Sequence, residues 1–299
     1  MKLLITPDDG ATAVLKAVRH ATKGIQIVIF RFDLAPLEQA LGAAVARGVP
    51  VRALIANTNR GGEKRLRKLE QRLLESGVTV ARTGDDLIRY HGKLLIVDDV
   101  LFVLGFNYTR LDIERSRSFG IQTKDPRLLK AACELFESDA LRQPYTPGDD
   151  RLVVSPENAR EVLSDFIEGA KRQLCLYDMN LSDPRMMKLL EQRVKAGVEV
   201  RVIGGKVKKG PEGMGIRSMT KSRLHARAIV RDGSRAFIGS QSLRKNELDQ
   251  RREVGLIITD ARIASKMQRQ FDADWENAKP KAEPATAEEK PDSARASAE

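Results

Sequence analysis

At 299 residues the chain is long enough for two domains of about 150 residues, each able to bury a core of its own. Its formal charge of +11 asks for an anionic partner (nucleic acid, lipid headgroup or small phosphate ester) without choosing among them. The opening MKLLITPDDG lacks a signal peptide's apolar run and no 18-residue apolar window occurs, so a cytoplasmic protein with at most peripheral membrane contact is expected; Cys133 and Cys175, with no CxxC or Cys/His spacing, argue against a disulfide framework or a zinc site.

The chain repeats itself. ITPDDGATAVLKAV near the start aligns with VSPENAREVLSDFI in the middle, Pro7 on Pro156, an offset of 149 residues. Each segment predicts a short strand, an acidic turn suited to the free N–H groups of a first helical turn, and an amphipathic helix. The inward faces are Val14, Leu15 and Val18 in one copy and Val162, Leu163, Phe166 and Ile167 in the other. His20 follows Arg19 at the end of the first helix, where a histidine simply meets terminal carbonyls, and reads as structural. IQIVIF (25–30) and LCLY (174–177) are the near-continuous apolar runs of strands covered on both faces. A second helix and strand follow in each copy, ALGAAVARGVPVRALI (40–55) against LLEQRVKAGVEVRVIG (189–204), with Gly48 and Gly197 ending the helices.

The first copy then adds a helix over 63–76 and a strand near 78–82, where the second runs through the Gly- and Lys-rich KVKKGPEGMGIRSMTKSR. The alternation of Lys64, Arg65, Arg67, Lys68 and Arg72 with Leu66, Leu69 and Leu73 is that of a solvent-exposed helix. Lys206, Lys208, Lys209, Arg217, Lys221 and Arg223 form a loop that either is solvated or guides an anion. The offset falls to 134 at the later histidines and 135 in the closing helices, where Phe136 matches Phe271. The expected organisation is a first domain over 1–143, a Pro- and Gly-containing linker at 144–150, a second domain over 151–277 and a disordered tail at 278–299.

Each copy carries the same polar motif. The first is HGKLLIVDDVLFVLGFN, with His91, Lys93, Asp98, Gly105 and Asn107; the second is HARAIVRDGSRAFIGSQS, with His225, Arg227, Asp232, Gly239, Ser240 and Ser242. Histidine and cation stand two apart, so on an extended strand they share a face. Asp98 and Asp232 follow at a turn, and a second apolar strand returns to the glycine beside the histidine. A strand histidine is commonly structural, but two of the chain's three occupy matching places in a duplicated motif. A phosphodiester needs this set: cations or donors for its oxygens, a nucleophile, and a group that protonates the leaving oxygen.

The paired motifs resemble the HxK(x)4D(x)6G(S)xN signatures of the phospholipase D superfamily, over most of 1–277. The resemblance implies an α/β fold of two similar phospholipase D-like α-β-α sandwich domains, each with a largely parallel mixed sheet, packed about a pseudo-twofold axis. It implies one active site at their interface, without metal or cofactor, in a chain that can act as a monomer. His91 would attack phosphorus to form a phosphohistidine, and His225 would protonate the departing alcohol and then activate water or an acceptor alcohol. Lys93 and Arg227 would hold the phosphate oxygens, with Asn107, Ser240 and Ser242 as neutral donors, and the catalytic set would include Asp98 and Asp232.

The motifs also depart from the family pattern. Arg227 stands for lysine, a planar fork in place of a compact ammonium; Gly105-Phe106-Asn107 is one residue short of Gly-Ser-x-Asn; and Ser242 replaces the usual Asn. Downstream, RREVGL (251–256) aligns with RSFGI (117–121), placing Glu253 opposite Ser118. In the superfamily a carboxylate after each motif orients a catalytic histidine, often that of the other half. Glu253 is therefore expected to support His91, leaving His225 without such a partner or borrowing Glu114; the alternative pairs Glu253 with Arg251, Arg252 or Arg115. The favoured function is hydrolysis or transfer of the phosphatidyl group of a phospholipid. A nuclease, and a degenerate protein that binds phosphate or nucleic acid without turnover, stay open beside it.

Overall fold

The computed structural model describes residues 1–58, 62–207 and 210–280. The first half runs β1 (Lys2–Thr6), α1 (Thr12–Arg19), β2 (Ile25–Ile29), α2 (Ala35–Ala46), β3 (Val51–Ile55), α3 (Glu63–Glu75) and β4 (Thr79–Arg82). It continues through β5 (Arg89–Tyr90), β6 (Leu94–Val97), β7 (Val100–Leu104), α4 (Arg110–Arg115), β8 (Ser116–Thr123) and α5 (Pro126–Leu141). The second half repeats the pattern with β9 (Leu152–Ser155), α6 (Ala159–Glu168), β10 (Gln173–Leu181), α7 (Pro184–Lys195), β11 (Glu199–Val207) and β12 (Gly215–Ser218). After these come β13 (Arg223–Leu224), β14 (Ala228–Arg231), β15 (Arg235–Gly239), α8 (Lys245–Asp249), β16 (Arg251–Ile258), α9 (Ala261–Glu276) and β17 (Lys279–Pro280).

Each half builds a mixed sheet. The first follows the order β1-β8-β7-β6-β2-β3-β4, with β2, β3 and β4 parallel and the pairs from β1 to β2 antiparallel. The second follows β17-β12-β11-β10-β14-β15-β16-β5, with β9 also on β16. Helices cover both faces, which is why β6 (Leu-Leu-Ile-Val) is buried along its whole length instead of alternating. Helix starts are written locally. Asp125 and Asp183 cap α5 and α7 by accepting backbone N–H bonds, each followed by a proline whose missing N–H costs nothing there. In α3, Leu66, Leu69 and Leu73 are buried while Lys64, Arg65 and Lys68 stay exposed, the face predicted from the charge alternation. Of the tail expected over 278–299, Ala278 is buried and Lys279 and Pro280 pair with β12; residues 281–299 lie outside the described residues. Among the described residues no helix is long and apolar enough to cross a membrane.

Three apolar layers result. α1, α2 and α3 pack on the outer face of the first sheet, and α6 and α7 on the outer face of the second. The central layer joins the halves: Leu128, Leu135, Val103 and Phe119 from the first meet Tyr177, Ile238, Met267 and Phe271 from the second. Phe119, Tyr177 and Phe271 form a ring chain, with centroids 5.2 and 5.1 Å apart.

Two buried arginines tie the same interface, again as a repeat. Arg117 on β8 donates to Thr6 O (2.8 Å) and Asp8 (2.9 Å) in its own half and to Asp274 on α9 of the other (2.9 Å). Arg252, its counterpart on β16, donates to Ser155 O (3.0 Å) and Glu157 in its own half and to Asp139 on α5 of the other (3.0 Å). Burial pushes the Asp139 carboxyl up to about 7 even against the Arg252 guanidinium, a sign of how little water reaches it. Removing one member of a buried pair strands the other. Arg252→Met is expected to cost about 3–5 kcal/mol in urea unfolding; Arg117→Met should cost less, because its partner Asp8 is 63% exposed and can return to water.

Candidate active site

The motif histidines do not hang on their own sheets. β5, just before His91, runs parallel to β16 of the second half, Arg89 beside Arg251 and Tyr90 beside Arg252, and the His91 and Gly92 amides donate to Arg252 O at 2.7 and 3.0 Å. β13, just before His225, runs parallel to β8 of the first half, and the His225 amide donates to Arg117 O at 3.1 Å. Each histidine is thus carried into the opposite half. The hairpins close identically beneath them: Leu104 N bonds Lys93 O at 3.0 Å, and Gly239 N bonds Arg227 O at 3.1 Å. The motif glycines let the hairpin ends meet. A Cβ on Gly105 would stand 2.9 Å from Phe119 O and 3.1 Å from Gly239 O, and one on Gly239 2.9 Å from the Gly255 Cα.

The result is one buried cluster. His91, Lys93, His225, Arg227 and Glu253 are all less than a tenth exposed, with Glu253 at 0%. Glu253 Oε2 lies 2.7 Å from His91 Nδ1. Glu253 Oε1 also stands 3.8 Å from Arg251, so the ion pair foreseen as the alternative exists beside the histidine contact rather than instead of it. Phe30 packs edge-on against the His91 ring, centroids 4.4 Å apart. Lys93 Nζ donates to His91 O (2.6 Å) and lies 2.9 Å from His91 Nε2. With Nδ1 facing a carboxylate, the tautomer that fits keeps the proton on Nδ1 and leaves the Nε2 lone pair toward the ammonium.

His225 has a different neighbour. Asp112 Oδ2 is 3.4 Å from His225 Nδ1, at the edge of hydrogen-bond reach. Asp112 is itself fixed by Asn107 N (3.0 Å), Asn107 Nδ2 (2.6 Å) and Arg223 Nη1 (2.9 Å). Glu114 does not serve here: it sits two residues on, on the exposed side of α4. Ser118, opposite Glu253 in the repeat, has no charge to offer and donates to the His225 carbonyl at 3.3 Å.

The charges act on one another across the halves. Burial, then Lys93, Arg227, Arg251 and Arg89, hold His91 well below its ordinary value; burial, then Arg227, outweigh Asp112 and do the same to His225. Both rings feel both Lys93 and Arg227, which makes this a single site. Burial lowers Lys93 to about 7 and raises Glu253. Burial also works to raise Asp112, but His225, the Asn107 donors and Arg223 together keep it below the usual carboxylate value.

Two PLD-like domains occupy this architecture: a family model described as "Cardiolipin synthase, PLD-like domain" matches residues 14–140 and again 163–275. The chain belongs to that phospholipase D-like family. No curated protein matches it. Among solved structures, polyphosphate kinase from Porphyromonas gingivalis is similar at a TM-score of 0.79 and 17% identity, over 92% of this chain and 47% of that one. Phosphatidylserine synthase from Haemophilus influenzae Rd KW20 is similar at 0.71 and 12%, over 93% and 86%. This chain spans about half the length of the polyphosphate kinase, and at these identities both likenesses are likenesses of fold.

The other residues of the phospholipase D-like motif make contacts of their own. Asp98 and Asp232, expected in the catalytic set, sit at the far hairpin turns with φ of 53° and 55°. Asp98 accepts from the amides of Thr22, Lys23 and Gly24, and Asp232 from those of Lys171, Arg172 and Gln173, so each ties its hairpin to the loop before the neighbouring strand. The strand between turn and histidine separates them from the reacting groups. Asn107 Nδ2 donates to Asp112 at 2.6 Å and the Ser240 hydroxyl knits the Val254 backbone beside Glu253, whereas for Ser242 it is the backbone amide, not the hydroxyl, that is bound to Glu247 at 2.8 Å. Asp112 and Glu247, missed in the sequence, carried a signal: they stand five residues after Asn107 and Ser242, at the same offset of 135. Of the basic loop, Arg223 reaches the site and Arg217 bonds Trp275 O, while Lys208 and Lys209 lie outside the described residues. Asp98→Ala is expected to cost about 1–2 kcal/mol in thermal unfolding. The NMR titrations of the His91 and His225 rings should stay where they are, whereas a catalytic Asp98 would move them.

Proposed function

We propose that the protein is a phosphodiesterase of the phospholipase D type that hydrolyses or transfers the phosphatidyl group of a phospholipid through a phosphohistidine, without a metal. The observation that carries this reading is the contact between His91 and Glu253 across the two halves, with Lys93 and Arg227 beside both histidine rings. A buried neutral imidazole backed by a carboxylate is a nucleophile held in one tautomer. Two fixed cations supply the charge that developing phosphoryl oxygens need.

The proposed steps use these contacts. Substrate oxygens draw the Lys93 ammonium away from His91 Nε2, freeing its lone pair. Nε2 attacks phosphorus; the bond from phosphorus to the leaving oxygen breaks, and that oxygen takes a proton from His225 to depart as the alcohol. The positive charge on the phosphorylated imidazole is held by Glu253 at Nδ1. His225, now neutral, removes a proton from water or from an acceptor alcohol, whose oxygen attacks phosphorus as the P–N bond breaks and returns neutral His91. Asp112 stabilises the protonated state of His225 across 3.4 Å, a weaker hold than the 2.7 Å of Glu253 on His91. That inequality suits the roles. The nucleophile's ring must be held through both steps, while the acid must release its proton.

With EDTA present, phosphatidylglycerol or phosphatidylcholine should be turned over by the wild type. His225→Ala should lose about 10²–10⁴-fold, and His91→Ala should lose turnover to background and yield no acid-labile phosphoryl adduct. Turnover of DNA alone would replace the lipid reading with a nuclease, and binding without turnover would replace it with the degenerate protein. The pH dependence has a defined sign. His225 and Lys93 must carry protons and both hold them more weakly than usual, His225 well below its ordinary 6.5 and Lys93 at about 7, so kcat/KM should fall as pH rises through the lowered His225 value and fall further as Lys93 loses its proton. On the acid side it should fall as His91 is protonated, also below 6.5, placing the optimum on the acid side of neutrality.

A further inference from the structure

A cavity of about 330 Å³ opens on the His225 side of the site. His225, Asn107 and Asp112 lie at its inner end; Arg31, Arg65 and Arg223 border it, with Thr109, Phe32 and Leu66 between them, and neither His91 nor Lys93 takes part. Its two acidic residues are already engaged. Asp33 accepts from Arg110 N at 2.7 Å, and Asp112 holds Arg223, Asn107 and His225. Arg31 stacks on Phe30 and Arg65 projects from the first turn of α3, and neither has a carboxylate partner among the described residues. Among the described residues, Arg31 and Arg65 are therefore cavity cations without a carboxylate partner, next to a histidine.

We infer that this cavity is the subsite for the leaving or accepting alcohol, and that it takes a small alcohol bearing its own negative charge, as a phosphate or a carboxylate, held by Arg31 and Arg65. The inference rests on the roles given to His91 and His225 above. In-line displacement places the departing oxygen opposite His91 and beside the residue that protonates it, and the space there is this cavity. The volume lies at the lower end of small-molecule sites and accommodates a compact headgroup. Two guanidinium groups select an anion over a neutral or cationic headgroup at that end. Arg31 and Arg65 are exposed and make no contact with the histidines, so they tune which alcohol is accepted while the chemistry stays with the buried cluster.

The test separates the subsite from the chemistry. Calorimetric titration of the whole chain with glycerol 3-phosphate, glycerol and inorganic phosphate should show glycerol 3-phosphate binding that weakens about tenfold in Arg31→Ala/Arg65→Ala. Inorganic phosphate, which the buried Lys93 and Arg227 also attract, should change by less than about twofold in that variant. In mixed micelles, wild-type kcat/KM should favour phosphatidylglycerol phosphate over phosphatidylglycerol, and the double variant should lose about tenfold of that ratio by its effect on the first substrate alone. Glycerol 3-phosphate that fails to bind the wild type, or that binds both proteins equally, overturns the subsite, as does an equal loss on both lipids. Failure of the wild type to turn over any diester overturns the proposed reaction instead, and the titration then still decides whether the anion site exists.

Discussion

The site depends on two backbone hydrogen bonds, from His91 N to Arg252 O and from His225 N to Arg117 O. Each places a motif histidine on a strand of the opposite half, so neither half presents a complete site alone. The side chains of the same two arginines are buried and bond to acids on both sides of the interface. One residue in each half therefore positions a histidine through its carbonyl and fastens the halves through its guanidinium. Loss of the Arg252 guanidinium would strip Asp139 of the arginine that holds it at the central apolar layer, whereas Asp274 would keep the Tyr177 hydroxyl and the Gln270 amide.

Inside the interface the duplication has become unequal. Glu253 sits on the His91 ring at hydrogen-bonding distance; its counterpart Ser118 does not reach the His225 ring at all, and Asp112 approaches from a different element. Asp112's own counterpart, Glu247, turns to the Ser242 amide and Arg251. Lysine occupies one cation position and arginine the other, and burial brings the lysine down to about 7. Two equivalent motifs folded together would give two interchangeable histidines. The differences in their carboxylates assign one ring to attack and the other to proton transfer within the proposed reaction, and the open cavity beside His225 adds a direction to it.

Much of this was legible before folding. The repeat was visible because helix and strand periodicities recur at an offset of 149 before the first copy's extra elements and of 134–135 after them, and α3 and β4 fell where the charge alternation and apolar run put them. His91, His225, Lys93 and Arg227 were identifiable because a spacing of two on a strand sets both side chains on one face. Other residues were not. Asp98 and Asp232 share the motif's spacing yet cap loops at the far turn, because a left-handed turn residue that accepts amide bonds is conserved by geometry within the repeat as readily as a catalytic one would be. Asn107, Ser240 and Ser242 were read as phosphate donors, but whether a donor is free depends on what packs beside it, and Asp112 and Val254 engage the first two.

The sequence by itself determined two α/β halves, the surface of α3 and the histidine–cation pairs, and its paired motifs carried the resemblance to the phospholipase D-like family. These follow from periodicities and spacings that act over a few residues. Only the tertiary structure decided that each histidine crosses to the other half, that Asp112 rather than Glu114 approaches His225, and that Arg31 and Arg65 border the cavity there. Those contacts join residues far apart in the chain, and they are set by the strand exchange and the burial that comes with it, which no local pattern encodes.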